Sequence, residues 1–234
     1  MTKDSFSAKL ITFEESIQHF KKTKDATLYH NPNFINFVLE DVLWLGGFKK
    51  NTLLCTMPIF NGLMPEFFYY SGPLWNKDIL KLKPYRRYST SQRIYEKMIG
   101  YALNIRSNLS VQFPSTNYDI RAFDWWNYHL EEKYRFKTKI RYTAKLKNLQ
   151  SQTIEQIRSN LRSDDKRKRL SRLMKNADNL RLENNISLEK FLYLYKQTMS
   201  RNNANVLDSA LEILKKLFLY AKQERKGFIL SLTD

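Results

Sequence analysis

The residues able to do chemistry in this chain are mostly cationic, and they fall in two clusters. The first holds Lys133, Arg135, Lys137, Lys139, Arg141, Lys145 and Lys147, with no acid among them. The second holds Arg158, Arg162, Lys166, Arg167, Lys168, Arg169, Arg172, Lys175 and Arg181, against Asp164, Asp165 and Asp178. On a helix, Arg162, Lys166 and Arg169 follow 3–4 spacing, and so do Lys168, Arg172 and Lys175, which makes two positive stripes. Such stripes grip the phosphates of RNA or a nucleotide; Arg167, Lys168 and Arg172 are the candidate anion ligands on this helix. A plain solvated helix face gives the same pattern. Alternation along a strand would put Lys137, Lys139 and Arg141 on one face and Thr138, Ile140 and Tyr142 on the other. That strip either faces an anion or guards an edge strand against aggregation.

Between the clusters and the first half lies an aromatic stretch: Tyr118, Phe123, Trp125, Trp126, Tyr128, Tyr134, Phe136 and Tyr142, with Asp119 and Arg121 near its start. Core packing explains any single ring. Trp and Tyr beside Arg also line grooves for amphipathic ligands.

Other chemistry is sparse. His19, His30 and His129 have no metal-ligand spacing, and no metal site is expected. His19 reads as a surface helix residue, and His30, before Asn31-Pro32, as a turn cap or a binding residue. The single Cys55 sits in an apolar run, which argues for burial rather than nucleophilic use. Phosphate-loop, dinucleotide, zinc-protease and hydrolase motifs are all missing, and no residue is assigned as catalytic.

The elements that would position these residues follow from composition and pattern. The 234 residues carry 40 Lys and Arg against 23 Asp and Glu, a net charge of +17. Hydrophobic residues make up 42% and aromatics 14%, enough to bury a core and to exclude a disordered chain. The charge favours anionic partners or, more simply, a soluble surface. No secretory signal and no long apolar run is present, so a cytoplasmic location is expected.

Character changes near residue 150. The first part reads as mixed α/β. Phe13–Lys21 suits a helix capped by Thr12, and Asn31-Pro32 opens another with Phe34, Phe37 and Val38 on one face. Trp44–Phe48, Thr52–Phe60 and Phe67–Tyr70 read as strands, the first two joined at Lys50-Asn51, with Ser71-Gly72-Pro73 ending the meander. Residues 86–107 have helical spacing; Leu109–Phe113 and Thr138–Leu146 alternate like strands, and Asp124–Glu132 suits a short helix. The second part reads as helices over Thr153–Leu161, Lys166–Ala177 and Leu188–Met199, the last capped by Ser187. Asp208 is expected to cap a further helix that Gly227 ends, followed by a strand over Phe228–Leu232. That strand needs neighbours: the earlier sheet, another chain, or a missing part of its own domain.

The order of segments resembles the FemAB-like acyltransferases of the GNAT superfamily, in an uncharacterised bacterial branch. The resembling stretches are TLYHNPNFINFV, the hairpin ending in YYSGPLW, FPSTNYDIRAFDWWNY, IRYTAKLKNL, LRSDDKRKRLSRLMKNA, LEKFLYLYKQTMSR and KKLFLYAKQERKGFILSLTD. The resemblance implies an α+β fold: a GNAT-like mixed sheet flanked by helices over 1–150, then linking helices and the start of a second GNAT-like half over 151–234. By the same resemblance the second half is cut short at Asp234, and the Gly-containing donor loop of acetyl-CoA users is missing.

The implied activity is transfer of an acyl or aminoacyl group from acyl-CoA or aminoacyl-tRNA to an amine such as that of a cell-envelope precursor. Neither donor would be tightly bound, and both are polyanions. The resemblance makes Tyr142 and Arg201 ligand contacts, with Asp119, Arg121 and Trp125 next. Arg201 also reads as a plain helix C-terminal cation. Two other classes stay open: a non-catalytic nucleic-acid binder gripping phosphates over 166–177, possible tRNA included, and an inactive remnant that oligomerises through Phe228–Leu232.

Overall fold

The structure is a computed structural model that describes residues 5–23, 26–61, 64–114, 119–141, 151–159, 164–175, 181–183, 186–225 and 231–233. It is α+β. A four-stranded antiparallel sheet runs in the order β1 (Phe6–Ile11), β2 (Leu43–Lys49), β3 (Thr52–Ile59) and β4 (Leu74–Trp75). Strand β1 alternates Phe6, Ala8 and Leu10 with Ser7 and Lys9. That period of two is a strand signal the sequence reading passed over.

Helices cover both sheet faces. Helix α3 (Pro84–Ile105) starts on a proline at its first turn, where the missing N–H costs nothing. It presents Ile94, Tyr95, Met98, Ile99 and Ala102 to Leu45, Cys55 and Met57 of the sheet. The Trp75 indole N–H donates to the Tyr95 hydroxyl at 2.6 Å, tying β4 to α3. The opposite face packs Trp44 and Phe48 against Ile11 and against Phe34, Ile35 and Val38 of α2 (Pro32–Val38). Strand β2 is therefore apolar on both sides, which explains its unbroken hydrophobic run.

Helix starts follow their caps. Helix α1 (Phe13–Lys21) has a full capping box: Glu15 N–H donates to Thr12 Oγ1 at 3.1 Å and Thr12 N–H donates to Glu15 Oε2 at 2.8 Å. In α2, Asn33 N–H donates to Asn31 Oδ1 at 3.1 Å ahead of Pro32. The β2–β3 hairpin turns at Lys50, whose φ of 53° is left-handed.

The rest of the chain adds α4 (Arg121–Asp124), α5 (Ile154–Ser159), α6 (Asp164–Lys175), β5 (Arg181–Glu183), α7 (Leu188–Arg201), α8 (Asp208–Gln223) and β6 (Ser231–Thr233). Helix α8 packs on α2, and Lys216 donates to Glu40 at 3.1 Å.

Several expectations need correction. Phe67–Tyr70 is a turn: Phe67 and Tyr70 have φ of 63° and 61°, and left-handed residues cannot continue a ladder. The meander instead resumes at Leu74–Trp75. Leu109–Phe113 forms no ladder, and residues 138–141 are exposed and irregular, so the proposed two-faced strip is not formed there; 142–146 lie outside the described residues. The expected helix over Asp124–Glu132 is replaced by the single turn of α4, after which Asn127 turns left-handed. Phe37 is 40% exposed; Ile35 takes its place in the core. The N-cap of α8 is Leu207, and Asp208 sits inside the first turn, where its charge suits the helix dipole without a capping bond. Among the described residues the last strand does not join the earlier sheet: β6 pairs antiparallel with β5, Leu182 opposite Leu232. Phe228–Leu230 lie outside the described residues.

Candidate anion-binding helix and aromatic groove

Helix α6 begins with Asp164 and Asp165, whose carboxylates suit a helix N-terminus. Both acids are engaged by cations one turn later. Arg167 Nη2 donates to Asp164 Oδ1 at 2.6 Å, and Arg169 Nη2 to Asp165 Oδ2 at 3.4 Å. Lys168, Arg172 and Lys175 form no ion pair among the described residues, and all three are exposed. Asp164, Arg167, Lys168, Ser171 and Arg172 line one shallow groove of about 420 Å³. The three residues picked out as anion ligands thus converge on one surface. An exposed, uncompensated cation costs nothing to keep charged and attracts a phosphate by Coulomb forces that salt screens.

The second location lies at the turn after residue 119. Arg121 grips Asp119 with both arms of its fork: Nε donates to Oδ1 at 2.9 Å and Nη2 to Oδ2 at 3.0 Å. The Arg121 hydrogen bond holds the Asp119 carboxyl below its ordinary pKa. The guanidinium carbon lies 5.6 Å from the Tyr88 ring centre and 5.9 Å from that of Trp125. Asp119, Arg121 and Trp125 are therefore one unit. Arg121's charge is already answered by Asp119, which suits a positioning role better than capture of an incoming anion.

Trp125 is 55% exposed and, with Trp126, forms part of a groove of about 760 Å³ between β1 and α3. Glu96, Lys97 and Tyr101 from α3 line its other side. The lining is mixed: the rings of Phe6, Tyr101, Trp125 and Trp126 share it with Ser7, Glu96, Lys97, Asn104 and Asn127.

Other candidates scatter. Arg201 ends α7, exposed, with no ion pair among the described residues; Tyr142 lies outside the described residues. Nothing described brings Arg201 to the Asp119–Arg121 unit. His19 is not a surface residue: it is 3% exposed, and its Nε2–H donates to the Leu74 carbonyl at 3.0 Å. Burial lowers its pKa. His30 does cap its turn. Thr27 N–H donates to His30 Nδ1 at 3.1 Å, so the ring proton sits on Nε2. Cys55 is fully buried, and burial pushes its thiol well above the ordinary value, away from nucleophilic use. Among the described residues no cluster of His, Cys, Asp and Glu could hold a metal ion, and no helix is long and apolar enough to cross a membrane.

Sequence reasoning missed the groove beside β1, because it missed β1. The alternation of FSAKLI was the available signal.

In comparisons with known proteins, no family model, no curated protein and no solved structure matches the chain.

Proposed function

We propose that this chain belongs to an N-acyltransferase of the FemAB-like kind and holds the polyanionic donor, acyl-CoA or aminoacyl-tRNA, on α6. The observation that carries the reading is that Lys168 and Arg172, exposed and without an ion pair among the described residues, line one groove, with Arg167 held beside them by Asp164. The +17 charge and a helix-flanked antiparallel sheet agree with it.

In the reaction, the amine nitrogen attacks the acyl carbonyl carbon. The new C–N bond forms, the C–S bond of a thioester or the C–O bond of a tRNA ester breaks, and the amine loses a proton while thiol or hydroxyl leaves. The role of α6 is to hold the donor's phosphates and so fix the carbonyl, a contribution of positioning rather than covalent chemistry. The Asp119–Arg121 pair, stacked beside Trp125 and Tyr88, would shape the surface near the acceptor.

The test is calorimetric titration of the full chain with acetyl-CoA and with tRNA at two salt concentrations. At least one should bind, more weakly at high salt. Reversing Lys168→Glu and Arg172→Glu should weaken binding about tenfold or more and flatten the log–log salt slope by about 1.5–2. No binding of either donor, or binding indifferent to the reversal, would remove the proposal. A non-catalytic nucleic-acid binder rests on the same helix. It requires tRNA to bind while acetyl-CoA does not, with neither thiol released from acyl-CoA nor deacylated tRNA released from aminoacyl-tRNA in the presence of an amine.

A further inference from the structure

Strand β1 is the edge of the four-stranded sheet: among the described residues it pairs with β2 alone. The phase of that pairing is set at Ser5, whose carbonyl accepts from Lys50 N–H at 2.7 Å. In an antiparallel ladder alternate residues bond to the same neighbour. Ser5, Ser7, Lys9 and Ile11 therefore bond toward β2, and the backbone N–H and C=O groups of Phe6, Ala8 and Leu10 point to the open edge. Edge strands are normally blunted by proline, a bulge or charged side chains, lysine above all. The β1 sequence FSAKLI contains no proline, and its register with β2 runs without a bulge from Phe6↔Lys49 to Ile11↔Trp44. Its one charge, Lys9, lies over the Phe48 ring at 5.0 Å, on the face opposite Phe6 and Ala8, and leaves the groove side of the edge unguarded.

The groove of about 760 Å³ lies along this same edge, with Phe6 and Ala8 on one side and Tyr101, Trp125 and Trp126 among its aromatic lining. The Trp126 indole nitrogen is buried without an acceptor among the described residues. Cations gather at the Phe6 end: Arg93 lies over the Phe6 ring at 5.5 Å and Lys49 at 5.7 Å. Lys97 lines the groove itself, beside Glu96, the one carboxylate among the described lining residues, which accepts from the neutral Gln92 amide at 3.2 Å and keeps its charge.

We propose that an extended acidic peptide docks here as a fifth strand. Its backbone pairs with Phe6, Ala8 and Leu10, alternate side chains enter the aromatic groove, and a carboxylate lies by Arg93. Main-chain hydrogen bonds provide the hold and the groove provides selectivity, as in other cases of strand addition.

A display library of capped peptides matched in length to β1 is selected against the full chain, and the best binder is titrated by tryptophan fluorescence. Enrichment of sequences that carry apolar residues and a carboxylate on one and the same face, two residues apart, is expected. Ala8→Pro removes a donor from the open edge and none from the β2 ladder, so it should weaken binding about tenfold or more while unfolding by denaturant stays cooperative. N-methylation along the peptide should block binding at every second residue only. This scan decides the matter if Ala8→Pro does not fold. No enrichment, or binders indifferent to both changes, would overturn the proposal. So would a dimer by light scattering that Ala8→Pro dissolves, since a second copy would then own the edge.

Discussion

The Tyr220 ring meets Phe34 edge-to-face at 4.9 Å, which puts a residue of α8 into the core that α2 builds beneath the sheet. Helix α8 is separated from α2 by nearly the whole chain, yet its tyrosine is 5% exposed and also meets Phe37 at 5.4 Å. Tyr220→Ala should cost about 3 kcal/mol in chemical denaturation, since it removes a buried aromatic and leaves a cavity. Tyr220→Phe keeps the ring contacts and should cost less than about 1 kcal/mol. Equal losses for the two would show that the hydroxyl, not the ring, holds α8 in place.

Gly47 lets α3 lie directly on β2. A Cβ at this position would collide with Ile94 Cγ2 and would come within 2.7 Å of Met98 Sδ. Gly47→Ala should therefore destabilise by about 1–3 kcal/mol through overpacking. Met98 is flexible but Ile94 is branched and wholly buried, so Ile94→Ala in the same chain should cost less than its effect alone plus that of Gly47→Ala. Strict additivity in urea melts would show that the helix does not bear on Gly47.

Acid should weaken the fold before the surface carboxylates titrate. His30 is buried, and desolvation lowers its pKa from 6.5 to about 4. Protonating Nδ1 would also break the bond from Thr27 N–H. The folded form binds the proton less readily than the unfolded chain, so stability is complete above pH 6.5 and is lost as pH falls toward 4. At about 1.4 kcal/mol per pH unit the loss amounts to roughly 3 kcal/mol. Buried His19 adds to it with the same sign. His30→Gln keeps an acceptor for Thr27 and should flatten the stability profile between pH 4 and 6.5. An unchanged slope would assign the acid lability to other groups.

Local signals were legible where a side chain acts on its own backbone. Thr12 with Glu15, Asn31 with Pro32, and Ser187, which accepts from Lys190 N–H at 3.2 Å, announced three helix starts. The apolar spacing of 94–102 announced the buried face of α3. The shared face of Lys168 and Arg172 was legible as well, because residues four apart on one helix are neighbours; Arg167 belongs to neither stripe, and only the folded helix puts it in the same groove, paired with Asp164.

What the linear order could not decide was which distant groups meet. Alternation in Leu109–Phe113 looks like a strand, but a strand exists only when a neighbour supplies hydrogen bonds, and none does among the described residues. Phe67–Tyr70 is rich in strand formers, yet Phe68 drives into the core at 1% exposed and the flanking left-handed residues turn the chain. His19 carries a polar ring on a short helix, and only the placement of the Leu74 carbonyl makes its burial tolerable. Composition and spacing thus determined the helices other than the short one at Arg121–Asp124, the β2–β3 hairpin and the cationic face of α6. Tertiary structure decided the open edge of β1, the groove beside it and the partner of the last strand, because these depend on backbone groups brought together across long stretches of sequence.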